Sequence, residues 1–160
     1  MSDAGQSRPP EGAAYVESTI IMTTVRLIAP FVITYGLFVM FHGADSPGGG
    51  FQGGVIVGAM VVMVGFAFGV APAREWVKND VLVAVATTGA LTFVAVGLGA
   101  QFLGGRFLEY ASYEPLYHHA SKYLIELVEL AIGAIVAAVV VGLYFSLARG
   151  HVGSTEEDEA

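Results

Sequence analysis

Four stretches of the chain, 19–41, 54–70, 81–103 and 123–147, are dominated by apolar residues, and each is close to the ~20 residues that a helix needs to cross a bilayer core. Lipid offers no water to the backbone, so an open-ended spanning segment has to be a helix that satisfies its own amides and carbonyls. Strands of a membrane barrel would alternate polar and apolar side chains over about ten residues, and no such alternation occurs. The pattern predicts an all-α fold: a polytopic membrane protein built as a bundle of four transmembrane helices. Residues 19–148 form this domain, between a disordered cytoplasmic head at 1–18 and an acidic cytoplasmic tail at 149–160 that carries Glu156, Glu157, Asp158 and Glu159.

The cations orient the bundle. Arg8, Arg26, Arg74, Lys78 and Arg149 fall in the head, near the start of the first span, in the second connection and in the tail, whereas Arg106 and Lys122 flank the third connection. Positive charge collects on the cytoplasmic side, which places both termini there and the 42–53 and 104–122 connections outside. The first apolar run is longer than a signal-peptide core and lacks a small-residue cleavage site, so it reads as an uncleaved anchor in the inner cell membrane. Phe107, Tyr110, Tyr113, Tyr117 and Tyr123 in and after the third connection suit the headgroup level, and predict a segment lying along the membrane surface.

Composition narrows the function. With 55% hydrophobic and 13% charged residues and a mean hydropathy of +0.68, the chain is too apolar for an ordinary soluble domain. It has no cysteine, which excludes disulfides, thiolate metal sites and cysteine nucleophiles. A net charge of -7 argues against nucleic acid as a partner. No nucleophile, base and orienting group gather at a recognisable spacing, so the chain does not read as an enzyme. The histidines His42, His118 and His119 stand at span ends rather than on facing helices, so no haem, metal or other cofactor is expected.

The most distinctive segment joins the first two spans: FHGADSPGGGFQGG, from Phe41 to Gly54. Ser46 followed by Pro47 resembles a helix N-cap with proline at the first helical position, which would start the second helix earlier than hydropathy alone suggests. Gly50, Gly54 and Gly58 recur every four residues and leave one helix face bare, so that a neighbouring backbone can approach. Similar ladders at Gly65 and Gly69, and at Ala134, Ala138 and Gly142, offer further faces to helices of this or another chain.

Ionisable side chains in spans are costly and mark candidate function. Lys122, Glu126 and Glu129 lie at i, i+4 and i+7 on one stripe of the last helix, with Glu129 roughly 10 Å along the axis from Lys122. Lys122 and Glu126 fit a pair that neutralises the helix entrance. For Glu129 two readings stand: a structural carboxylate, or a proton acceptor in an ion or proton passage that could include His42. Arg26 precedes Pro30 by four residues, so the proline displaces the carbonyl of residue 26 and kinks the helix, and the arginine snorkels to the surface as an anchor.

The run RLIAPFVITYGLFVMFHGADSPGGGFQGGVIVGA, Arg26 to Ala59, resembles the signature of the B subunit of Mrp-type multisubunit sodium/proton antiporters, the MnhB family. His42, Pro47, Gly48, Gly49, Gly50, Phe51, Gly53 and Gly54 fall in its motif. The resemblance implies a subunit of a complex that exchanges sodium for protons, with partners that include large membrane subunits related to the proton-pumping arm of complex I. The same module occurs in membrane-bound hydrogenase-type complexes, which leaves that parent machine as an alternative beside an autonomous small cation transporter and a purely structural subunit. One departure concerns the last helix, ELVELAIGAIVAAVVVG: with Gly142 set against the family's later glycine, the family's acidic position falls on Gly133 and not on Glu129.

Overall fold

The computed structural model describes residues 18–43 and 49–157. Four of its helices are long and apolar enough to cross a membrane. The first, α1 (Thr19–Phe41), has the bounds expected of it. The second, α2 (Gly50–Phe68), starts four residues before its apolar run and ends two residues sooner, because Gly69 takes φ +93 and breaks it there. A seven-residue helix, α3 (Val70–Trp76), occupies the second connection, and the third span is α4 (Asn79–Phe102). The last helix, α5 (Ala120–Glu157), contains the span 120–148 and carries its helical backbone into the segment expected to be a tail.

Hydropathy alone could not find α3, since averaging over a spanning window erases a seven-residue element. Its Pro72 stands in the first turn, where helix amides have no internal partner and a missing N–H costs little. Within α1, Pro30 removes the bond that the Arg26 carbonyl would accept, and the Thr34 hydroxyl donates to the Pro30 carbonyl at 2.6 Å.

The spans stand in the order α1, α2, α5, α4: α2 and α5 form the central contact, α1 covers the far side of α2, and α4 covers the far side of α5. Glycine sets these distances. A Cβ on Gly53 would lie 2.7 Å from the Gly36 carbonyl oxygen of α1, and one on Gly54 would lie 2.9 Å from Gly133 Cα of α5. On the other side of α5, a Cβ on Gly89 of α4 would lie 2.7 Å from the Ala131 carbonyl oxygen. Bare backbone at each crossing is what lets helices approach in lipid, where no hydrophobic force drives them together. Of the other ladders, Gly69 lies outside the helix it was assigned to, Ala138 is buried, and a Cβ on Gly142 would meet nothing within 4 Å.

At the end where α1 begins, Ala73 of α3 packs with Val141 and Phe145 of α5. Arg74 lies 5.3 Å over the Phe145 ring and donates to the Phe145 carbonyl at 3.2 Å, so α3 is tied to the last span. At the opposite end the third connection turns back on α4 instead of running wholly along the surface. Phe107 packs on Gly97 and edge-on to Phe93, and the Tyr113 hydroxyl donates to the Val96 carbonyl at 2.7 Å, six residues before the end of α4. Left-handed backbone at Leu108 (φ 62) and His119 (φ 65) makes the turns this return requires.

Candidate functional site

The end of α1, the first turn of α2 and the N-terminal third of α5 converge on Glu129. The Glu129 side chain is half-buried, and its Oε2 is fully buried with no hydrogen-bond partner among the described residues. Three glycines enclose it. A Cβ on Gly43 would overlap the carboxylate itself, one on Gly49 would lie 2.7 Å from Cδ, and one on Gly50 would lie 2.7 Å from the Glu129 carbonyl carbon. A side chain at Gly43 or Gly49 would displace the carboxylate, and one at Gly50 would meet the α5 backbone.

The local folding follows from the motif. Gly49 precedes α2, and its N–H donates to the Gln52 side-chain oxygen at 3.1 Å, so the start of the helix is fastened by its own third residue. Gly53, one position past Gln52, faces α1 at Met40 and Gly36, while Gly50 and Gly54 face α5. Gly58 continues that face towards Ala137 and Val140. Phe51, on the remaining side, is exposed. Met40 bridges the two contacts, since a Cβ on Gly53 or on Gly133 would meet its side chain.

Helix ends shape the electrostatics of the cradle. The closing carbonyls of α1 present the negative end of its dipole, and the opening amides of α2 present the positive end. A carboxylate between them can be held as an anion by the amides, as an acid that donates to a carbonyl, or beside a small cation that the carbonyls share. Each is a state that a proton or cation passage uses.

The remaining candidates are distributed as follows. The His42 ring stacks on Phe38 with centroids 4.0 Å apart, and its Nδ1 lies 3.0 Å from the Phe38 carbonyl oxygen; the contact with Glu129 is carried by its neighbour Gly43. Glu126 is half-buried one turn before Glu129, and Lys122 is exposed. Pro47 and Gly48, like Ser46 and the head through residue 17, lie outside the described residues. Arg26 stands at the opposite end of α1, with its guanidinium carbon 5.1 Å over the Phe68 ring.

Two participants escaped the sequence reading. Gly43 follows the noted histidine but belongs to no four-residue ladder, so spacing gave it no weight. Tyr110 counted only as an interfacial ring. It opens a short 3-10 turn, Tyr110–Tyr113, that packs on α5, and burial first, then the negative charge of Glu129, pushes its hydroxyl above the usual tyrosine range. Nearby, the Ser121 N–H donates to Glu114 at 3.3 Å, and hydrogen bonding from Ser121 holds the Glu114 carboxyl below the usual carboxylate range.

Residues 20–143 match the family model described as a domain related to the MnhB subunit of Na+/H+ antiporter. That stretch contains the motif and the cradle and reaches into all four membrane helices. The chain belongs to the MnhB family. Among its relatives are the proteins named "Putative antiporter subunit mnhB2" from Staphylococcus aureus strains MRSA252 and Newman. Each is 31% identical over 141 residues, which is 84% of this chain and 98% of the relative. Family membership therefore extends well beyond the motif, and the multi-pass membrane character agrees with the four apolar helices.

Proposed function

We propose that the chain is a non-enzymatic subunit of a multisubunit sodium/proton antiporter in the cell membrane, and that the Glu129 cradle is part of an ion or proton passage in that complex. Membership of the MnhB family supports the assignment to an antiporter. The observation that carries the site is the buried Glu129 Oε2 without a partner among the described residues, enclosed by Gly43, Gly49 and Gly50. An unpaired carboxylate oxygen at membrane depth costs several kcal/mol unless a proton or cation joins it. Glu126, Lys122 and His42 stand on the approach to the cradle from the outer surface.

Both termini are cytoplasmic in this reading. It draws support from Arg26, Arg74 and Lys78, which gather at the end of the bundle away from Glu129. The partners are other antiporter subunits, including large complex-I-like membrane subunits, and the open row of spans leaves α1 and α4 with broad apolar faces for them or for lipid. Affinity purification of the tagged chain from native membrane tests the assignment. Large antiporter subunits are expected to come with it, and recovery of hydrogenase redox subunits in their place would contradict it.

A further inference from the structure

A cavity of about 610 Å³ lies between the first half of α1, the last half of α2 and α3, at the end of the molecule opposite Glu129. Its wall is made of apolar side chains, among them Val64, Phe68, Pro72 and Val77, and Arg26 is the one charged residue among the described residues that lines it. Trp76 forms part of the rim and is 89% exposed, which places the cavity mouth at the surface. Arg74, the other arginine of this end, is engaged with Phe145 of α5 and does not line the cavity.

We infer that this cavity holds an anionic phospholipid, with an acyl chain against the apolar wall and the headgroup phosphate on the Arg26 guanidinium. An apolar hollow beside a bilayer draws in hydrocarbon, because unfilled space forfeits dispersion contacts on every lining atom. Guanidinium matches phosphate in a two-pronged geometry that an ammonium cannot form. Tryptophan at the rim suits the headgroup level, and exposed Lys78, two residues further on, adds a second cation for an acidic headgroup. A helix of another subunit is the competing occupant. The lining favours the lipid, since it sets a cation beside an otherwise apolar wall, the combination that an acyl chain with an anionic headgroup matches.

Trp76 is the single tryptophan of the chain and serves as the reporter. Full-length protein is reconstituted in vesicles containing phosphatidylglycerol or phosphatidylcholine brominated on the acyl chain, and quenching of Trp76 is compared at matched mole fractions. The expected result is a roughly fivefold preference for the brominated phosphatidylglycerol, the factor that one cation near an anionic headgroup confers. Arg26→Gln is expected to abolish the preference while quenching by phosphatidylcholine persists, and Arg26→Lys to retain part of it. Val64→Phe, which fills the cavity and leaves the charge, is expected to lower it as well. Equal quenching by the two lipids in the unmodified protein would overturn the inference, as would a full preference in Arg26→Gln. Should Arg26→Gln fail to insert, an undiminished preference in Val64→Phe overturns it alone. In the complex isolated from native membrane, shielding of Trp76 from both lipids would identify a protein occupant and overturn it too.

Discussion

The two ends of the molecule handle a charge at membrane depth in opposite ways. At one end, the backbone closes so tightly around Glu129 that a Cβ on Gly50 would fall on the Glu129 backbone and one on Gly43 or Gly49 on its carboxylate. At the other, the Arg26 guanidinium lies over a phenylalanine ring at the edge of a roomy apolar cavity. The carboxylate is short and one of its oxygens is fully buried, so the chain is shaped around it. The arginine is long and flexible, and needs only space. The first end should therefore be intolerant of added volume and the second tolerant of it.

That contrast is breakable by substitution. Gly50→Val is expected to have the largest effect, because its Cβ would fall on the Glu129 backbone carbonyl and neither helix can shift alone; the loss should be about 3 kcal/mol or more, read as thermal unfolding of the full chain in detergent. Gly49→Ala meets a side chain that can give way, so a loss of about 1–2 kcal/mol is expected from the same assay. At the opposite end Arg26→Leu removes a cation–π contact and is expected to cost no more than about 1 kcal/mol. If Gly50→Val and Arg26→Leu have equal effects, the contrast fails.

Gly142→Ala sharpens the same point, since this glycine belongs to a similar ladder but a Cβ there would meet nothing. In the isolated chain it should be neutral or stabilising by up to about 1 kcal/mol through helix propensity. A defect that appears only in the assembled complex would place a partner helix at Gly142. The smallest expected effect concerns Glu114, whose carboxyl is held low by hydrogen bonding from Ser121. A carboxyl with a depressed folded-state value contributes stability that is present above about pH 4.5 and is lost as pH falls through that lower value. Glu114→Gln should therefore lower stability slightly at neutral pH and leave low pH nearly unchanged, which flattens the acid limb of unfolding.

The spans were legible in the sequence because hydrocarbon imposes a minimum apolar length and forbids any other open-ended element. Packing was legible in part. The four-residue spacing of Gly50, Gly54 and Gly58 marks a bare helix face, but it does not say that α5 lies on that face while Gly53 turns to α1. The same spacing misled at Gly69, whose positive φ ends a helix instead of lining one. Glu129 announced itself as a carboxylate in an apolar run, whereas the glycines around it lie about 80 residues away, and only folding brings them together. The short helix α3, which walls the Arg26 cavity, left no trace in a hydropathy window.

Sodium-driven proton flux through the assembled complex in sealed vesicles, compared between unmodified protein and Glu129→Gln with equal subunit recovery, tests the central claim most directly. The Glu129 cradle as part of the passage predicts a loss of about tenfold or more in flux, the equivalent of roughly 1.4 kcal/mol in the transport barrier. Undiminished flux with a neutral amide at this position would contradict it.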